Sequence, residues 1–585
     1  MSSRPFDLVV QNGTVYDGSG GPPQHVDVGV RGGKIAALSR LPLPTDGARV
    51  EDATGLWVTP GFIDLHTHYD AEVELAPALS ESLRHGVTSV VIGSCSLSLA
   101  VGTAEDLADQ FCRVEAIPYD VVRPLLETTK RWNTVSEYFT HLEALPLGPN
   151  VSSFLGHSAL RSHVMGLERS LTRGLRASKA ELTRMDGILA DALDEGYLGM
   201  SIMTLKWDKI GGTRDIRSRP LPSTFAPWSE YRRFNKVLRQ RGRIFQGVPN
   251  ISTKLNVLLF LWESIGLLRP ALKTTIISLM DPRSDRIIHR LAGLLTRIAN
   301  GLLGADFKLQ ALPEIFDLWA DGIDLVVFEE FGAGGAALHL EGEVERRALL
   351  TDPDYRKRFR SEWTSRFMPR AFHRDFNQSK ILACPDPTIV GKSFAALAVE
   401  RDRDPVDLFL DLVAEHGTRL RWYTVMANDR RGPLEWIVQH PDILIGFSDA
   451  GAHLRQMAHY NFPLRLLNLV KKAHKDGRQM MSTERAVQRV TGEIGDWLGI
   501  EAGRLIVGRQ ADLVLLDPDG IDDQVEEVEE ASIDGFPGSF KRLVRRNTRA
   551  VKAVFMRGNE AVRNGEVLSA VGHEPRFGRL LRVVT

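Results

Sequence analysis

The residues of this chain whose types and spacing could do chemistry sit in a few short stretches. Phe62-Ile63-Asp64-Leu65 has the length and composition of a buried strand and leads into His66-Thr67-His68. On a strand, side chains spaced i, i+2 leave by the same face. Two imidazoles would then stand side by side, half of a divalent-metal site of the kind zinc occupies. Thr88-Ser89-Val90-Val91-Ile92-Gly93 reads as a second buried strand, ending at Ser94-Cys95. Ile443-Leu444-Ile445-Gly446-Phe447-Ser448 reads as a third, with Asp449 at its tip between glycines that allow close backbone approach. Plainer readings stand beside these: solvated histidines on an edge strand, a small buried core cysteine, an aspartate capping the next helix. Cys112 and Cys384 lie in helix-like and loop-like contexts and read as structural.

Delivering several reactive side chains from the C-terminal ends of apolar strands is what a (β/α)8 barrel does. Helical stretches such as Leu79–Gly86 and 179–195 alternate with the apolar runs, as that architecture requires. The chain ends have another character. Asp7 to Gly18 reads as strand, Asn-Gly turn and strand, and Ala511–Leu516 with Val551–Gly565 reads as a strand and a second hairpin. The expected layout is a β-sandwich built from residues 1–58 and 501–585, with a TIM-like α/β barrel inserted between them at 59–500. Residues of about 250–320 are strongly apolar and leave two readings. They are ordinary barrel helices packed on strands, or a peripheral helical insertion serving as a lid or subunit contact.

Lys and Arg number 73 against 74 Asp and Glu, a net charge of -1 that gives no global field for nucleic acid or an acidic membrane. Three cysteines in 585 residues argue for a reducing compartment over a disulfide framework. No apolar leader and no run of membrane-spanning length is visible. A soluble cytoplasmic protein is expected, with neither a nucleic-acid partner nor a membrane span, and a homo-oligomer is left open.

Pro60-Gly61-Phe62-Ile63-Asp64-Leu65-His66-Thr67-His68-Tyr69-Asp70 resembles the metal-site strand of the amidohydrolase superfamily, and its Tyr-Asp end points to the D-aminoacylase (N-acyl-D-amino-acid deacylase) branch. The resemblance runs from the N-terminal strands through Gly446–Asp449 to Ala511–Val514 and weakens between about Gly211 and His440. It implies zinc held by His66, His68, Cys95 as thiolate, and Asp449. It further implies hydrolysis of a linear amide, an N-acyl-D-amino acid, with Asp449 as general acid/base. Gly156-His157 and Leu160-Arg161 match a family segment that faces the site. Two further family histidines are missing: the expected counterparts, Pro220–Thr224 and Ile244–Asn250, contain none. One zinc is therefore favoured, with two possible. A substrate carboxylate would need a cation, for which Arg161, Arg421 and Arg455 are candidates; Tyr69, His157, Tyr423 and His453 are further candidates for substrate contact or for supporting the metal ligands. Two alternatives remain: a hydrolase of a cyclic or lipidic amide or lactone, and a metal-poor barrel acting as a non-catalytic subunit.

Overall fold

The computed structural model describes residues 5–113, 117–250, 255–340, 342–365, 370–537 and 540–583. Phe62–Asp64 pairs in parallel with Val87–Ile92, which pairs in parallel with Asn150–Ser153. The chain continues into Leu155–Gly156, and parallel pairing then runs through Gly199–Met203, Ile244–Val248, Lys273–Ile276 and Asp306–Ala311 to Ile443–Ile445. That last strand continues as Phe447–Ala450, which pairs in parallel with His66–Thr67, the continuation of the first. The circuit of parallel pairings returns to its origin. Its strands are buried throughout, as in Val87–Ile92 and Ile244–Val248, because helices cover one face and packed side chains the other. One of those helices, Lys179–Asp194, starts on a capping box formed by Ser178 and Glu181.

The apolar stretch at 250–320 belongs to this circuit. Helices Leu255–Ser264 and Ile288–Leu302 alternate with strands Lys273–Ile276 and Asp306–Ala311, and their inner residues, Phe260, Leu261 and Ala299, are buried against the main core. A peripheral insertion at this point is not what the chain forms. The excursion comes later. Phe316–Asp321, Arg421–Ala427 and Ser379–Ala383 form an antiparallel three-stranded sheet, with a core of its own that includes Phe328, Phe359, Trp363, Phe409 and Trp422. Pro220–Thr224 also departs from expectation, since Pro222–Phe225 is a single 3-10 turn. Two prolines there remove the backbone donors a strand would need.

Both chain ends share one sheet. Thr14–Val15 pairs with Trp57–Pro60, which pairs with Leu513–Leu516, and that strand pairs with Val551–Met556. A second sheet of Leu8–Gln11, Asp27–Arg31, Lys34–Ser39 and Arg49–Asp52 packs on it through Val10, Val28, Ile35, Val58, Leu513 and Phe555.

Gly93 makes the turn from the second parallel strand toward Cys95. Its φ is +76°, and a Cβ there would lie 2.2 Å from the Phe154 carbonyl oxygen. Gly93→Ala should therefore cost about 1–3 kcal/mol of stability, read from denaturant unfolding. Gly55→Ala, at φ +77° with nothing within 4 Å of the added carbon, should cost less, and equal losses would mean that the Phe154 contact is not the constraint.

Candidate metal centre

The first parallel strand places His66 and His68 on one face, the turn after the second places Cys95 against them, and the eighth brings Asp449 across. Cys95 Sγ lies 3.3 Å from His66 Nε2. Asp449 Oδ1 lies 3.5 Å from His66 Nε2 and 3.3 Å from His68 Nε2. Among the described residues, His66, His68 and Cys95 offer donor atoms that all lie within 4.8 Å of one another. Cys95 and Asp449 adopt φ of +53° and +58°, a backbone cost that the surrounding pairing sustains.

The electrostatics suit a cation. Burial holds the His66 imidazole down at about 3, so it stays neutral. Burial works to raise the Asp449 carboxyl, but the hydrogen bond and charge of His68 outweigh it and keep the group ionised. Burial pushes the Cys95 thiol well up, with Asp449, Asp208 and Asp70 adding to the effect; a cation at the centre would reverse that balance. His68 Nδ1 is buried without a hydrogen-bond partner. A neutral imidazole, a carboxylate, a thiol and an orphaned ring nitrogen around one point fit a divalent ion.

Two residues beside the cluster were not singled out from the sequence. The Gln246 side-chain oxygen accepts from the Cys95 N–H at 3.4 Å, and its nitrogen lies 3.4 Å from His66 Nδ1. Gln310, on the seventh strand, bears on the His66 imidazole and donates to Thr275 Oγ1 at 3.1 Å. The available signal was a lone amide inside each apolar strand, Phe245-Gln246-Gly247 and Leu309-Gln310-Ala311. Below the cluster, Asp64 meets Ser448 across the seam between first and eighth strands, and burial raises its carboxyl to about 8.

Several residues expected near substrate are engaged elsewhere. His157 bonds Ser223 Oγ at 3.1 Å and Glu230 Oε1 at 3.0 Å. Arg161, fully buried, donates to both Glu230 oxygens at 2.6 and 2.5 Å. Tyr69 is fully buried with its hydroxyl 2.7 Å from Ser82 Oγ. Arg421 and Arg455 share Asp321, at 2.5 and 2.7 Å. Tyr423 lies in the antiparallel sheet of the excursion, 3.5 Å from Asp317 Oδ2 and packed on Trp319. Each has a buried or charged partner of its own. His453 lines a cavity of about 180 Å3 with Trp207, Asp208, Lys209, Arg113 and Glu329.

No family model matches the chain. It is 44% identical over 99% of its length to an uncharacterized protein of Mycobacterium tuberculosis, covering 96% of that protein. It is 35% identical over 201 residues to the D-aminoacylase of Alcaligenes xylosoxydans xylosoxydans, a match spanning 34% of this chain and 38% of that enzyme. A structure of N-acyl-D-glutamate deacylase from Bordetella bronchiseptica, complexed with zinc and a phosphonate inhibitor, superposes with a TM-score of 0.64 at 22% identity, over 99% of this chain and 100% of that one. The fold is shared along the whole chain.

The Glu230 cluster makes a prediction that separates scaffold from site. Glu230→Gln leaves Arg161 buried without its counter-charge, which should cost about 3–5 kcal/mol in chemical denaturation. Metal bound per folded chain, measured by elemental analysis, should stay unchanged. A loss of metal at undiminished stability would put His157 and Arg161 back in the site.

Proposed function

We propose, for a chain that belongs to the D-aminoacylase-like branch of the amidohydrolase superfamily, that it hydrolyses a linear N-acyl-D-amino acid with the help of zinc held by His66, His68, Cys95 and Asp449. As an amidohydrolase it acts on carbon–nitrogen bonds other than peptide bonds. The observation that carries the reading is the convergence of these four side chains, with no Lys or Arg among them, at the ends of three neighbouring strands. We read the closed circuit of parallel strands as a (β/α)8 barrel of residues 59–500, held in a sandwich of 1–58 and 501–585. No helix among the described residues is long and apolar enough to cross a membrane, and we take the enzyme to work in the cytoplasm.

A divalent ion in this position supplies Lewis acidity to a substrate carbonyl and acidifies water. The chain's own groups do the rest. Asp449, kept ionised by His68, takes a proton from the attacking water at its carboxylate. It returns that proton to the amide nitrogen, which must be protonated to leave. Gln246 holds the His66 ring and the Cys95 backbone in register. One ion is favoured over two, because amides, Gln246 and Gln310, stand against His66 on the fifth and seventh strands.

One observation favours the second reading, a cyclic or lipidic amide or lactone. The three arginines available to grip a carboxylate are all neutralised by Glu230 or Asp321. Lys209 and Arg113 in the His453 cavity already face Glu329, at 3.6 and 2.6 Å. An intact donor set weighs against a non-catalytic subunit.

Asp449→Asn keeps size and removes the base, so turnover of an N-acyl-D-amino acid panel should fall by ~10²–10⁴. Undiminished turnover would move the base elsewhere. Elemental analysis should find no more than one tightly held zinc per chain, and two would mean that further ligands exist. Cys95 should resist alkylation until metal is chelated, while Cys112 and Cys384 label alike in both states. Equal labelling of Cys95 with and without metal would remove it from the ligand set.

A further inference from the structure

We infer that the outward faces of helices Leu255–Ser264 and Ile288–Leu302 dock on an anionic lipid bilayer surface. The inference does not depend on the reaction proposed above. Along the second helix and its start, Ile287, Leu291, Leu294, Ile298 and Leu302 recur at steps of three and four residues, which places them in one stripe. All five are exposed, Ile287 at 72% and Leu302 at 77%. The opposite face, with Gly293, Thr296 and Ala299, is buried. A barrel-type helix needs only that inner face to be apolar, so the outer stripe has no structural use within the chain.

The stripe continues onto the neighbouring helix. The Gly266 N–H donates to the Leu303 carbonyl at 3.2 Å, joining the C-terminal ends of the two helices. Beside that junction Trp262 is 58% exposed, Leu267 57% and Leu268 fully so. Large apolar side chains contiguous over two helices exceed what a solvated surface ordinarily carries.

Charge selects the occupant. Residues 256–305 hold six basic and three acidic side chains. Glu263 and Asp281 are buried and Asp285 is half-buried, whereas Arg290 and Arg297 are exposed along the stripe. An isologous contact with a second copy would bring Arg290 and Arg297 of both copies into one interface with no acid of this segment to receive them. Lipid phosphates would receive them. Leu, Ile and Trp on one side with Arg at the flanks is the composition of a helix that lies in a membrane interface. The second helix has 15 residues, too few to span. With a net charge of -1 overall, the attraction is local and should weaken with salt.

The test is co-sedimentation of the full-length protein with vesicles of phosphatidylcholine alone and of phosphatidylcholine mixed with phosphatidylglycerol. The protein should pellet with the mixed vesicles, little with phosphatidylcholine alone, and less as salt rises. Leu291→Glu with Ile298→Glu should abolish pelleting. Arg290→Glu with Arg297→Glu should weaken binding to the mixed vesicles by about tenfold or more, with hydrolysis and circular dichroism retained in both variants. Absence of the wild-type protein from both pellets would overturn the inference without recourse to any variant. So would a wild-type dimer in light scattering that Leu291→Glu with Ile298→Glu converts to monomer, since the stripe would then be a contact between copies.

Discussion

The rest of the centre depends on one backbone pairing, that of Phe447–Ala450 with His66–Thr67. It joins the last parallel strand to the first and closes the circuit. It also fixes Asp449 within 3.5 Å of both histidines. Phe447 packs edge-on against the His66 ring, and Asp64 meets Ser448 one step further in. A parallel pair so far apart in sequence carries a large loop-closure cost that the intervening strands must offset. The convergence of these side chains is thus a consequence of closure, not of local structure. The positive φ at Cys95 and Asp449 is held by the circuit, Asp449 lying within Phe447–Ala450 and Cys95 three residues past Val87–Ile92.

Around that seam the fold sets its charges in pairs. Glu72 receives Arg542 at 2.8 and 3.0 Å, and Glu81 receives Arg546 at 2.7 Å, so the early helices are tied to a segment near the C-terminus. Glu230 takes both His157 and Arg161. Such pairs add little net stability when whole, because desolvation offsets the attraction, but breaking one exposes the full cost of a buried charge. They also withdraw cations from chemistry. The arginines that a carboxylate-bearing substrate would call on are spent within the scaffold.

The excursion between the seventh and eighth strands builds its own aromatic core around Phe328, where rings meet at centroid distances such as 5.9 Å to Phe409 and 6.2 Å to Trp422. It stands on the chain just before the strand that carries Asp449, and it contributes Glu329 and Asp324 to the cavity beside His453. Variation in this segment would reshape that cavity while leaving the strand circuit intact, which is a division of labour that parallel α/β architectures allow.

Sequence alone determined the elements that obey local periodicity. The i, i+2 spacing of His66 and His68 put both on one face, and the apolar runs before Cys95 and Asp449 placed each at a strand end, where the structure has them. The strands at both chain ends likewise declared themselves by alternation, but Asn12-Gly13 joins strands of two different sheets and makes no hairpin. Tertiary structure decided what depends on partners distant in sequence. Arg161 and Glu230 are 69 residues apart, and nothing near Arg161 in sequence shows that its charge is already matched. Tyr69 follows His68 directly, yet it turns to Ser82 and away from the centre. Gln246 and Gln310 look like single polar interruptions of apolar strands until the closed circuit turns both toward His66. Whether the helices at 255–302 were core or periphery also waited on the strands they pack against, since an apolar helix reads the same from either side until one face is buried.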